Sequence, residues 1–409
     1  MSTKNDHSPN RRRVTVLRMG LGRDSMTMLV LLAAGRLVVQ GRVMSPDEVD
    51  AVVFTDPGHE WSFTYDLIPR VRRFCALHGL RFLVQSKPVA EGPDGWIAWV
   101  AYQTATRKAG SSHFGAPPWR RSPPAGIEAR CASGYYHLRA PLFEDYSAKD
   151  AWIAKDDSSC TINHKVEPNR ELVADLQVER FGVLPEVPGT KKRLAWTRQA
   201  EAWSVRVRDG ECGRHLMLIG YAADEQRRLS EVKDFGGAYA DFDEEAYPLM
   251  EMGISKADEQ AYLDALPGID AEGNLVVGGF ADVKKSGCRS CKEQDVAQFW
   301  MLRALDPAYF AKVLDHERRV VARTGPWQAI FPQKFVAAAK DGRPNPLVAL
   351  YERQGRLVGS REVGGRAYAY VWVPLADRVQ AWEDAFVAAN GRLPNVDEVA
   401  KKEYRGCSA

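Results

Sequence analysis

The sequence predicts an α/β fold built on a parallel sheet with helices on both faces. Three observations predict it. Apolar runs of strand length recur at 14–17, 50–55, 81–84 and 215–220. Segments with apolar residues at helical spacing follow the first two, at 26–32 and again at Leu67, Ile68, Val71 and Phe74. The turns after those two runs, Gly20–Ser25 and Asp56–Glu60, are polar and glycine-bearing. Strand, helix, strand, helix, strand is the alternation of a parallel sheet, and in such sheets ligands bind beyond the carboxyl ends of the strands.

At 409 residues the chain is long enough for two or three units. A hydrophobic content of 45% and a charged content of 27% are those of a globular protein. A net charge of +3 is too small for a protein coated all over by nucleic acid, though it leaves room for a local basic groove. No apolar run reaches membrane-spanning length, and the polar start lacks the apolar core of a signal peptide. The chain is therefore expected in the cytoplasm, a reducing compartment. There its seven cysteines point to thiols, metal or catalysis rather than to a disulfide framework.

Taken in order, residues 1–13 read as a disordered arm and 14–240 as the main α/β domain. Val14, Val16 and Leu17 make a buried strand, and Asp24 or Ser25 suits the N-cap of the helix that follows. Strands at 50–55 and 81–84 flank a helix at 64–77. Residues of about 87–150 are rich in Gly, Pro, Ser and aromatics without a period, which suggests a lid-like insertion. Helices are expected after Pro168 and at 197–205, then a buried strand at 215–220. Residues 241–334 read as a helical segment that carries Cys288-x-x-Cys291. The C-terminal extension, 335–409, reads as a small α+β unit with a hairpin (347–358 with 367–373) and a last helix at 375–390.

The turn Gly20-Leu21-Gly22-Arg23-Asp24-Ser25 has the chemistry of an anion site. A helix N-terminus offers free backbone N–H groups and the positive end of its dipole, and glycine lets phosphate approach the backbone. It is not a Walker loop, because no Gly-Lys-Ser/Thr is present, and the G-x-G-x-x-G fingerprint would need glycine at Ser25. Arg23, Lys165 and Arg227 lie in segments placed at the strand ends, where cations can grip phosphate. Asp24 and Asp56 are carboxylates of the kind that hold Mg²⁺.

Four separated segments, in order, resemble one family. Gly20–Ser25 resembles the S-G-G-x-D-S loop of PP-loop ATP pyrophosphatases, with Gly20 at the first serine and Leu21 at the first glycine. Phe54-Thr-Asp56-Pro-Gly58-His-Glu60, with Thr64, is similar to D-T-G-x-x-F-x-E-T. Cys160 with Lys165-Val166-Glu167-Pro168 is similar to C-C-x-x-x-K-V-x-P. Ile219-Gly220 through Arg227, then Tyr247-Pro248-Leu249, is similar to I-G-x-R and P-L-x-x-W, with Met252 where the family favours Trp. The chain thus resembles the phosphoadenosine phosphosulfate (PAPS) reductase group across residues 14–305. The resemblance implies an adenine nucleotide alpha hydrolase-like, Rossmann-like fold and a site for ATP with Mg²⁺. It implies nucleotide binding by Gly20, Leu21, Gly22, Arg23, Asp24, Ser25, Asp56, Gly58, Glu60 and Gly220. It implies catalytic roles for Asp24, Ser25, Asp56, Lys165 and Arg227.

The iron–sulfur branch of this family carries C-C…C-x-x-C. Here Ser159-Cys160 replaces the first pair, so Cys160, Cys288 and Cys291 remain. Three thiolates leave one metal position open, as in iron–sulfur PP-loop enzymes that thiolate tRNA. The resemblance therefore implies a four-iron four-sulfur cluster, with zinc completed by His164 or His316, or no metal at all, as the alternatives. Glu211-Cys212-Gly213-Arg214-His215 looks like the E-C-G-x-H motif of the true reductases. It precedes a buried strand in mid-chain, however, where a mobile nucleophile cannot sit. Cys407 has the tail position without the motif.

The expected activity is adenylation of an acceptor with release of pyrophosphate, followed by sulfur transfer. Sulfite production from an adenosine phosphosulfate, with a thioredoxin-like reductant and Cys212 or Cys407 as nucleophile, is the alternative. A nucleotide-binding interaction protein without catalysis is the third reading, because Gly20 lacks a phosphate-contacting hydroxyl. The acceptor is open and a sulfur donor is implied. Arg120-Arg121 and Lys191-Lys192-Arg193 are candidate nucleic-acid contacts, with plain surface charge the blander reading.

Overall fold

The computed structural model describes residues 12–86, 129–131, 134–136, 142–148, 162–182, 184, 195–226, 242–284, 286–291, 294–336 and 345–401. They form two compact units. The first draws on Met1–Pro141 and Cys160–Gly287, the second on Leu142–Ser159 and Cys288–Cys407.

The first unit is an α/β layer structure. Five strands form one sheet in the order Phe82–Ser86, Ala51–Asp56, Thr15–Met19, His215–Leu218, Asp243–Ala246. Every neighbouring pair is parallel. Alternate residues of each strand enter opposite cores, as strand geometry requires. Leu17, Val52, Phe54, Leu216 and Leu218 pack with residues of helix α1 (Arg23–Ala33), of helix α2 (Ser62–Leu77) and of Lys256–Ala265, such as Leu29, Phe74 and Leu263. Val16, Ala51, Val53 and Met217 pack on the other face with Leu172, Val173 and Trp203, from the helices Glu167–Phe181 and Ala195–Arg208. Burial on both faces is why these strands read as unbroken apolar runs.

The fifth strand carries the sheet past residue 240. Its sequence, Asp243-Glu244-Glu245-Ala246, has no strand signal, and it is an edge strand. Its acidic side chains are used in ion pairs rather than in a core: Asp243 with Arg170 at 3.1 Å and Glu244 with Arg13 at 3.6 Å.

The second unit packs the helices Val296–Leu305, Pro307–Thr324 and Leu375–Asn390 beside a three-stranded antiparallel sheet, Gln333–Val336, Arg366–Val371 and Val358–Val363 in spatial order. Glu317, 1% exposed, accepts the backbone N–H groups of Ile330 (3.2 Å) and Leu375 (2.9 Å), and so ties the helix Leu375–Asn390 to Pro307–Thr324. The helix expected to be the last is followed by another, Val396–Lys401. The expected strand at 347–358 is instead the helix Pro346–Arg353 followed by a turn. Pro346 occupies the first helical turn, and the Asn345 side chain accepts from Leu347 N at 3.0 Å. Most of 87–150 lies outside the described residues. Within it Ala129–Cys131 pairs with Gly134–Tyr136, and Leu142–Ala148 is helical. Among the described residues, no helix is long and apolar enough to cross a membrane.

Candidate functional site

The sheet order reverses between Thr15–Met19 and His215–Leu218, and the loops leaving these two strands meet. A Cβ added to Gly220 would lie 3.1 Å from both Asp24 C and Ser25 N. Only glycine permits that approach without displacing the turn. On the other side, a Cβ at Gly22 would lie 2.7 Å from Ser286 Oγ, and one at Gly20 would lie 3.1 Å from the same atom. The turn is therefore held between Gly220 and Ser286, at the place where open α/β sheets bind ligands.

Gly22, in extended backbone, is the N-cap of α1, and no side chain caps the helix. This corrects the expectation of Asp24 or Ser25 as cap. Asp24 lies in the first turn, and Ser25 Oγ donates back to Gly22 O at 3.1 Å. Leu21, fully buried, adopts φ 57°. A left-handed conformation costs a branched residue about 1–2 kcal/mol, which explains why glycine suits this position in the loop the segment resembles.

A second group of expected residues converges at the end of the neighbouring strand. Asp56 Oδ1 accepts from Gly58 N (2.7 Å) and from Tyr65 Oη (2.9 Å). Burial raises the Asp56 carboxyl above its usual range, against these two bonds and the charge of Lys165. Glu60 is 3% exposed and accepts from Gly287 N at 2.8 Å. Burial raises its carboxyl too, opposed first by Lys165, whose Nζ is 3.7 Å away. Lys165 itself rides on a π-helical turn, Ile162–Val166, just before the helix Glu167–Phe181. Such turns re-aim side chains that a regular helix would place elsewhere.

Residues without a sequence signal complete the site. Lys256 Nζ donates to both carboxylate oxygens of Asp24 at 2.7 Å and lies 3.2 Å from Glu225 Oε2. Burial lowers the affinity of Lys256 for its proton, but Asp24, Glu259 and Glu225 together more than restore it. Glu259, fully buried, has no partner for its oxygens among the described residues. Burial first and the Asp24 charge second hold its carboxyl well above the usual range. Lys256 thus covers the oxygens of Asp24 that a Mg²⁺ ion would need. Ser286, Lys256 and Glu259 escape sequence reading because their roles depend on where distant segments fold. The capping box Ser255-x-x-Asp258 announces a helix but not its cation.

Among the described residues no group of three or more metal-ligating side chains converges. Cys288 and Cys291 lie on one tight turn of the second unit, with Cys291 N donating to Cys288 O at 3.2 Å and Gln294 N to Cys291 O at 3.0 Å. Cys160, Cys407 and Arg227 lie outside the described residues. Cys212 is buried ahead of the strand His215–Leu218, and burial pushes its thiol up to about 11. A nucleophile needs the opposite shift. No protein-family model, curated protein or solved structure matches this chain.

Proposed function

We propose that this chain binds ATP at the Gly20–Ser25 turn, adenylates an acceptor with release of pyrophosphate, and passes sulfur to the activated position. The observation that carries the reading is the meeting of the Gly20–Ser25 and Gly220 loops at the point where the sheet order reverses. No side chain caps the helix that starts there, and a helix N-terminus favours phosphate. Lys165, Asp56 and Glu60 form a charged cluster at the next strand end. Ser286 brings a hydroxyl beside Gly20, the position that the resembling loop fills with serine.

In this reading an acceptor oxygen attacks the α-phosphorus, and the bond to pyrophosphate breaks. The negative charge gathered on pyrophosphate is received by the α1 N–H groups, Lys165 and Arg227. A hydrosulfide-class nucleophile then attacks the atom that bears the adenylated oxygen, the bond from that atom to the oxygen breaks, and AMP leaves. Catalysis is positioning and charge neutralisation. A cluster on Cys160, Cys288 and Cys291 would hold the sulfur at an open metal position, and this part of the reading rests on the cysteine pattern of the sequence.

The bonds from Lys256 to Asp24 favour one second reading, a protein that binds nucleotide without cleaving it. Pyrophosphate release separates the two. With [γ-³²P]ATP and fractionated acceptors, the enzyme reading expects labelled pyrophosphate that Lys165→Met abolishes. Binding of ATP with no pyrophosphate from any fraction would favour the second reading. Anaerobic purification with iron and labile-sulfide assays tests the cluster, and a colourless, iron-free protein would end that part of the proposal.

A further inference from the structure

The second unit carries a surface that the nucleotide reading does not use. Strands Val358–Val363 and Arg366–Val371 form a hairpin closed by Gly364-Gly365, both in left-handed backbone (φ 58° and 73°). This is the two-residue connection that matches the twist of a ribbon. The register opposes Arg361 to Tyr368 and Val363 to Arg366, so Arg361, Arg366 and Tyr368 share one face. Lys334, from the neighbouring strand, joins them, with its Nζ 3.8 Å from the centre of the Tyr368 ring. The base of the hairpin is the anchor on both faces. Ala369 and Val371 are buried on the opposite face, where Phe335 meets Tyr351 of the helix Pro346–Arg353 at 5.8 Å between ring centres. On the same face Tyr370 is buried and Gly359 lies against Pro326 and Trp327, which leaves the outer half with Arg361, Arg366 and Tyr368 as the open part.

The charges of this region do not balance. Residues 345–371 hold four arginines against two glutamates. Asp377 takes up Arg356 at 2.8 Å. Lys334, Arg353, Arg361 and Arg366 are exposed and make no ion pair among the described residues. Glu362 is paired with Ala367 in the register and so belongs to the opposite face, while Glu352 lies on the helix. A ribbon with unpaired guanidinium groups along one face and an aromatic ring among them fits a polyanion.

We infer that this hairpin face docks on double-stranded DNA. The third strand pairs only with Tyr368–Val371, so beyond Tyr368 the hairpin projects as two strands. The major groove of B-DNA admits a two-stranded ribbon, and guanidinium groups bond phosphate oxygens in pairs. The deep, narrow major groove of an RNA duplex does not admit it. The inference stands apart from the nucleotide reading. It uses neither Arg120-Arg121 nor Lys191-Lys192-Arg193, which lie outside the described residues.

The test is fluorescence anisotropy of a labelled DNA duplex of about 24 base pairs, long enough for two turns of groove, with the full-length protein across a salt series. Wild type is expected to bind with an affinity that falls as salt rises. Arg361→Ala with Arg366→Ala should weaken binding at least about tenfold and reduce the log–log salt slope by about 1.8, two lost phosphate contacts at about 0.9 each. Arg318→Ala, an exposed cation elsewhere on the unit, should leave binding unchanged. Circular dichroism and ATP binding, measured on the same variants, separate a lost surface from a lost fold and from failure of the nucleotide reading. Four results would overturn the inference: no duplex binding by the folded wild type, binding that the double variant leaves intact, equal or tighter binding of single strands or of an RNA duplex, or a protein partner that competes through the exposed Leu347 and Leu350 where DNA has no affinity.

Discussion

The two edges of the parallel sheet are built from similar residues to opposite ends. At the amino-terminal edge, charges lace strand starts to the structure around them. Asp50 accepts from Thr15 N at 2.7 Å and pairs with Arg180 at 2.6 Å, Asp243 pairs with Arg170 at 3.1 Å, and His215 Nδ1 accepts from Val14 N at 2.9 Å. At the carboxyl edge the same types of group are held less closely or at some cost. Lys165 and Glu60 are 3.7 Å apart, Leu21 is in left-handed backbone, Glu259 is buried without a partner among the described residues, and Gly22 ends a helix without a side-chain cap. Stability alone would treat the two edges alike. The left-handed backbone at Leu21 and the helix start without a side-chain cap both fall on the carboxyl edge, where a binding site would use them.

Substitutions of Gly220, Lys165 and Asp50 should therefore split by edge, while Lys256, bound to Asp24, should cost stability as well. The largest effect is expected from Gly220→Val, whose added carbons press on Asp24 and Ser25. Displacing the turn by about 1 Å should weaken ATP binding about 100-fold, read by equilibrium dialysis, with a folded protein by circular dichroism. Lys256→Met comes next. It strips the cation from Asp24 beside a buried Glu259 and should cost about 2 kcal/mol in urea unfolding, less than a fully buried pair because Asp24 is 23% exposed. Lys165→Met should lower ATP affinity about tenfold, one charge-assisted contact, with little change in the unfolding midpoint. Asp50→Ala, on the other edge, should show the reverse pattern: about 1 kcal/mol of stability lost and ATP binding intact. Parallel losses of stability and binding in all four would break the comparison.

The last contrast is in the pH dependence. Burial lowers His215 to about 3 from 6.5, so the unfolded chain takes up a proton that the folded one refuses, and stability falls as pH drops from about 6.5 to 3. Burial raises Asp243, its neighbour in the register, to about 6 from 3.8, which gives the opposite slope between those values. The two oppose each other between about pH 6 and pH 3.8 in wild type. Asp243→Asn should uncover the His215 slope, about 1.4 kcal/mol per pH unit at most, in urea titrations at pH 6 and pH 4.5. An unchanged profile would contradict the assignment.

How far the sequence was legible follows the same physics. The four apolar strands and the helices between them announce themselves because burial on both faces demands unbroken apolar runs. Asp243–Ala246 is silent because its acidic side chains serve in ion pairs. Pro346 begins a helix where one strand of a hairpin was expected, since a capped proline start favours helix. In the site, Gly20–Ser25, Asp56, Glu60 and Lys165 were readable because each lies in a short segment with its own chemistry. Lys256 was not, since it meets Asp24 from 232 residues away. Ser286 was not, since only the fold lays it against two glycines.

Equilibrium binding of ATP to wild type, Gly220→Val and Asp50→Ala tests the central claim most directly. The account predicts saturable binding by wild type, retained in Asp50→Ala and lost in Gly220→Val. Absence of binding by the folded wild type, or binding that Gly220→Val leaves unchanged, would contradict it.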